Sequence, residues 1–248
     1  MNTSLRHTLA HLIAPALLCI SLLPLAVQAA DLNGSGRSAT EARTVGEFQA
    51  IRLSGSMDLQ VRQGATASVQ VTADDNLLPL VETVLESSAN GPTMDIRWKK
   101  GTSLHARSKV QVTVVTPRLT ALTAAGAGDI QVDAFNTPAL KLSISGSGDA
   151  RLNGLNTEDL GITIAGSGDV GGSGSATRMT VSIAGSGDVR LGGMKSDDVS
   201  VTIAGSGDAV VNANKSLDVR IAGSGDLSYT GNATVKSKVA GSGSISKR

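Results

Sequence analysis

The chain has 248 residues, with Lys+Arg 22 against Asp+Glu 21, and its aromatic residues are limited to Phe 2, Trp 1 and Tyr 1. A formal charge of +1 gives no global attraction to nucleic acid or to an anionic membrane. One cysteine, Cys19, excludes a disulfide framework, and the length suits one domain with its own core.

Residues 1–29 read as a secretory signal peptide. Arg6 supplies the positive start, Leu12 to Val27 the apolar run, and Val27-Gln28-Ala29 the small-residue cleavage pattern. Pro15 and Pro24 break the run, which is short for a retained membrane span. Leu18 stands where a small residue would precede a lipidated Cys19. Cleavage removes Arg6 and the only cysteine. The mature chain then balances 21 bases against 21 acids, without a thiolate metal site or a Cys nucleophile.

Residues 30–45 lack periodicity and read as a flexible leader. Order is expected from Phe48, with Ile51/Leu53 and Leu59/Val61 flanking a degenerate corner at Ser54-Gly55-Ser56-Met57-Asp58. Val69/Val71 suggests a strand. Asp74-Asp75-Asn76 then predicts the cap of a short helix through Leu77, Leu78, Val81, Val84 and Leu85. Met94/Ile96/Trp98 and Val110/Val112/Val114 predict two more strands, and Pro117 joins this irregular part, 46–118, to regular repeats over 119–248.

Those repeats carry one phrase, Ala165-Gly166-Ser167-Gly168-Asp169, which returns with Asp at 188, 208 and 226. Looser copies end at Asp129 and Asp149, and the last has Ser244 in place of Asp. Before each corner runs a period-two apolar strand, such as Leu160/Ile162/Ile164 or Val199/Val201/Ile203. After it comes a second short alternation, such as Val189/Leu191. Each unit is therefore strand, tight corner, strand and return turn. A unit of about 20 residues with one apolar face folds only by stacking on its neighbours. The expected fold is all-β: a parallel β-helix or β-solenoid of about 20-residue coils, with one short helix in an N-terminal insertion. An antiparallel sandwich competes, but consecutive hairpins have no reason to repeat an identical corner after every second strand.

Stacked coils would bring the Asp row to roughly 5 Å spacing, each pair repelling by about 1 kcal/mol in water. Corner-amide hydrogen bonds, bound cations or protonation of alternate members would offset this. Amide capping is the expectation, because Gly-Ser-Gly brings its donors along. Sugar-cleaving sites are single constellations in dissimilar surroundings, whereas these corners are all alike. Gly166 to Gly171 fits a dinucleotide pattern, but Ser173-Gly174-Ser175 follows where a helix should open. His105, the mature chain's only histidine, lies in a polar stretch read as an exposed turn. Residues 92–118 are strongly basic and 119–230 acidic, which leaves open a basic patch meeting anionic glycan or lipid headgroups.

The Phe48 to Asp58 opening, the helix-bearing insertion, the Thr116-Pro117-Arg118-Leu119 join and the Gly-Ser-Gly-Asp corners resemble the putative auto-transporter adhesin head GIN domain family. The likeness spans nearly all of 46–246 and implies a secreted or envelope β-solenoid without an established enzymatic activity. The functional expectation is a non-catalytic exported cell-envelope module, in the periplasm or on the outer surface, that acts in adhesion or as a scaffold contacting a glycan or protein. The alternative is a secreted or periplasmic carbohydrate-active enzyme using the Asp row. No catalytic, cofactor-binding or metal-ligating residue, no cofactor, no nucleic-acid partner and no retained transmembrane segment is expected.

Overall fold

The computed structural model describes residues 31–88 and 91–248, so the expected signal peptide lies outside the described residues. The N-terminal part holds β1 (Asp31–Asn33), β2 (Ser38–Arg43), β3 (Ala50–Gly55), β4 (Asp58–Gln63), β5 (Ser68–Asp74), β6 (Val81–Ser88), β7 (Gly91–Trp98), β8 (Ser103–His105) and β9 (Gln111–Thr116). The repeats follow as β10 (Ala121–Gly126), β11 (Ile130–Asp133), β12 (Asn136–Gly146), β13 (Ala150–Gly166), β14 (Val170–Gly185), β15 (Val189–Gly205), β16 (Ala209–Gly223), β17 (Leu227–Thr230), β18 (Thr234–Gly241) and β19 (Ile245–Lys247).

The repeats stack as parallel coils of a β-solenoid, all-β as the period required. Equivalent residues pair rung to rung: Ile144 with Ile164, then Ile183, Ile203, Ile221 and Val239. Each coil has three sides. In the coil through β13, Ala150 and Leu152 point inward from one side, Leu155 from a short second, and Leu160, Ile162 and Ile164 from a third, all buried. Burying each large side chain contributes about 1.5–3 kcal/mol. The expected return turn is thus a side in its own right, filled in successive coils by Phe135, Leu155, Ala176, Met194 and Ala213. It also absorbs length differences. Register shifts fall at Leu152/Leu155, Gly171/Ser173, Leu191/Lys195 and Ser196/Asp198, while the corners stay aligned through steps of 20, 19 and 18 residues.

The first rungs do not stack in chain order. β3 and β4 lie between two rungs: β10 and β11 pair on one side, β7 and β9 on the other. The chain therefore lays down its second rung first, returns to form the terminal one, then builds the repeats on the opposite side. The terminal rung's outer edges are covered by antiparallel strands: β6 on β7, and β5 then β2 on β9. Covering a bare edge this way withholds it from pairing with another chain.

Two expectations are corrected in this cap. The predicted helix is a single 3-10 turn, Leu78–Leu80, and Val81 onward is strand β6. Weak helical propensity at Val81, Thr83 and Val84 loses to pairing with the free edge of β7. The predicted flexible leader contains β1 and β2, because β5 offers β2 an edge and Asp74-Asp75-Asn76 clamps the segment between them. The buried Asp74 carboxylate accepts hydrogen bonds from the Gly36, Arg107 and Ser108 main-chain N–H groups and the Ser108 hydroxyl. Asp75 accepts the Ser35 hydroxyl and pairs with Arg37, and Asn76 accepts the Ser35 N–H and donates to the Asn33 carbonyl. The three side chains expected to cap a helix instead pin a neighbouring segment.

Candidate functional site

The corner geometry follows from its two glycines. Gly166 has φ +144°, which favours glycine, and a side chain there would overlap the Gly146 carbonyl of the preceding coil. Gly168 is buried, and a Cβ on it would collide with the Gly148 carbonyl and approach Ile144. Both vetoes come from the coil beneath, so the phrase recurs wherever one coil sits on another.

The Asp column runs as expected, with a different donor. Each carboxylate accepts the main-chain N–H of the Asp one coil later. Asp58 Oδ1 takes Asp129 N at 3.0 Å, Asp129 takes Asp149 at 3.1 Å, and Asp149 takes Asp169 at 3.0 Å. Asp169 takes Asp188 at 2.9 Å, Asp188 takes Asp208 at 2.9 Å, and Asp208 takes Asp226 at 2.8 Å. Asp226 closes the column by accepting both the N–H and the hydroxyl of Ser244. The capping amide is thus the next coil's, not the Asp's own, which makes the column a side-chain extension of the sheet ladder.

Cations meet the column at intervals. Arg190 bridges Asp169 and Asp188 at 2.7 and 2.8 Å, and Lys109 pairs with Asp58 at 2.5 Å. Burial pushes the Asp169 carboxyl up, but the Asp188 N–H and the Arg190 guanidinium hold it below the ordinary 3.8. The hydrogen bond to Asp58, then that carboxylate's charge, holds Lys109 above 10.5. Among the described residues no three His, Cys, Asp or Glu side chains gather as a metal-binding group.

One place breaks the repetition. Under Gly55, where a glycine corner would continue the column, lies the half-buried indole of Trp98. The chain then makes a long excursion before β9, in place of the short corner of every other rung. Gln111 sits beneath Asp58 in register, and the Asp58 N–H goes to the Val110 carbonyl. The excursion opens a groove of about 460 Å³ lined by Trp98, Leu104, His105, Lys109, Asp58 and Ser56. A second depression of about 150 Å³ shares Asp58 and Lys109 with it and reaches Gln60, Gln111, Gln131 and Arg151. His105 is exposed, as its polar surroundings indicated, but it stands on β8, paired with β1, at the rim of this groove. Trp98, Gln111 and Arg151 were not legible as a site: only the stacking of the terminal rung on β3 and β4 brings them together. The available signal was the lone tryptophan just ahead of the polar stretch from Gly101 to Lys109.

A stack of parallel coils with its acidic column knitted into its own backbone, its repetition broken at the capped end by the Trp98 groove, defines a parallel β-solenoid. The chain belongs to the family described as putative auto-transporter adhesin, head GIN domain, whose model matches residues 47–233. Among solved structures it is similar to a putative adhesin from Bacteroides fragilis, with a TM-score of 0.80 and 23% identity over 88% of this chain and 100% of that one. A putative adhesin from Parabacteroides merdae gives 0.70 and 25% over 89% and 100%. A protein from Parabacteroides distasonis described as a putative lipid binding protein gives 0.71 and 24% over 88% and 100%. No curated protein matches the chain.

Proposed function

We propose that this chain is an exported, non-catalytic contact module of the cell envelope that makes adhesive contact with a glycan or a protein. The observation that carries this reading is the commitment of the acidic column: from Asp58 to Asp226, each carboxylate holds a neighbouring coil's amide. A carboxylate cleaving sugars must be free to give or take a proton at substrate, with a partner acid in a different environment. Asp58, the column's member in the large groove, has one oxygen on the Asp129 N–H and the other on Lys109. The family's adhesin description and the signal-peptide pattern of residues 1–29 support an exported location.

The test is to incubate purified residues 31–248 with isolated envelope polysaccharides and envelope protein fractions, measuring both retention and release of new reducing ends. Retention without release is expected. Release that disappears on Asp58→Asn or Asp129→Asn would overturn the non-catalytic reading in favour of a carbohydrate-active enzyme. Fractionating cells that express the full chain tests export: a shortened product outside the cytoplasm is expected, and a full-length cytoplasmic product contradicts it.

A further inference from the structure

We infer that the Trp98 groove is a binding site for an uncharged, hydroxyl-rich oligosaccharide, seated on the indole and hydrogen-bonded along the adjoining row of amide side chains. The inference rests on the contact-module reading and names the ligand class for it. Three observations converge. Trp98 is the chain's only tryptophan, and it lines the groove half-exposed where every other rung places a glycine corner. An indole face offers a broad apolar platform for the C–H face of a pyranose.

Next to it the groove is polar yet balanced in charge: Asp58 and Asp129 face Lys109 and Arg151. A balanced wall gives no net attraction to an anion or a cation, so the ligand it fits carries hydroxyls and not charges. The donors and acceptors are also available. The Gln111 carboxamide, the Arg151 guanidinium and the His105 imidazole have no protein partner among the described residues. Gln60 and Gln131 spend their amide N–H groups on Asp133, which turns those nitrogens away and leaves each carbonyl to accept from a sugar hydroxyl. Carboxamides beside charged groups of both signs are a set that vicinal hydroxyls, each both donor and acceptor, can satisfy.

The single tryptophan makes the test direct. Residues 31–248 are titrated with hexasaccharides of β-1,4-linked glucose, N-acetylglucosamine, mannose and xylose, and with hexagalacturonate and sialyllactose, following tryptophan emission and, in parallel, calorimetric heat. Expected is a shift of emission with at least one neutral oligosaccharide, with affinity unchanged between 50 and 500 mM salt. Gln111→Ala, whose exposed side chain leaves the fold intact, is expected to weaken binding about 5-fold, and Trp98→Phe about 10-fold by calorimetry. Binding only of the acidic sugars, or binding indifferent to Gln111→Ala and Trp98→Phe, overturns this inference while the contact-module reading stands. No binding of any of the six sugars also overturns it. Loss of all retention on envelope polysaccharide and protein fractions would instead remove the reading beneath it.

Discussion

Asp149 Oδ1 lies 3.0 Å from the main-chain nitrogen of Asp169, the equivalent residue one coil later. That contact turns an apparent liability, a column of like charges, into a strap between coils. It predicts that Asp149→Ala destabilises the fold by about 1–2 kcal/mol, the effect of leaving the Asp169 N–H without its acceptor. Asp149→Asn keeps Oδ1 and removes one charge, so it should fall within about 0.5 kcal/mol of the native chain. Urea melts of the three proteins check both numbers. Equal destabilisation by Ala and Asn would show that charge, not the acceptor, matters.

The two kinds of glycine should respond differently. Gly168→Ala forces a methyl into the Gly148 carbonyl and should cost about 3 kcal/mol or prevent folding. Gly161→Ala meets only the flexible Lys141 side chain at 3.8 Å and should change stability by no more than about 0.5 kcal/mol. Thermal melts of the pair decide it.

Acid should loosen the N-terminal clamp. The Ser108 hydroxyl, with the Arg107, Ser108 and Gly36 N–H groups, outweighs burial and holds the Asp74 carboxyl below its ordinary 3.8. A carboxyl lowered in the folded state binds its proton more readily when unfolded. Its stabilisation is therefore complete above about pH 4–5 and is lost as pH falls through the folded value. Melts from pH 7 down to 2 should show Asp74→Asn less stable than the native chain at neutral pH, with the gap closing in acid. A constant gap would place the role of Asp74 elsewhere.

Removing residues 31–45 should bare the outer edge of β5, which β2 covers. The shortened chain is expected to melt earlier and to self-associate in size-exclusion chromatography. An unchanged, monodisperse protein would restore these residues to the status of a leader.

The regular part of the molecule was legible because stacking imposes the same demand on every coil. Ile164, Gly166, Gly168 and Asp169 each contact their own counterparts, so the physics writes itself as a period. The cap was not legible for the converse reason. Asp74 acts on Gly36 and Ser108, Val84 pairs with Asp95, and β7 returns beneath β3, all once only and across long separations. Local pattern predicted a helix there because Asp-Asp-Asn before an apolar run is a good cap signal. A free sheet edge outweighed it. The groove shares this property: Trp98 and Gln111 become neighbours of Asp58 only after that return.

Amide hydrogen exchange along the corner column tests the central claim most directly. If the carboxylates strap the coils together, the Asp129, Asp149, Asp169, Asp188, Asp208 and Asp226 amides will be protected in the native chain. Asp149→Ala will then release the Asp169 amide while leaving Asp208 and Asp226 slow. Free exchange of these amides in the native chain, or an Asp169 amide indifferent to the loss of the Asp149 carboxylate, would contradict the account.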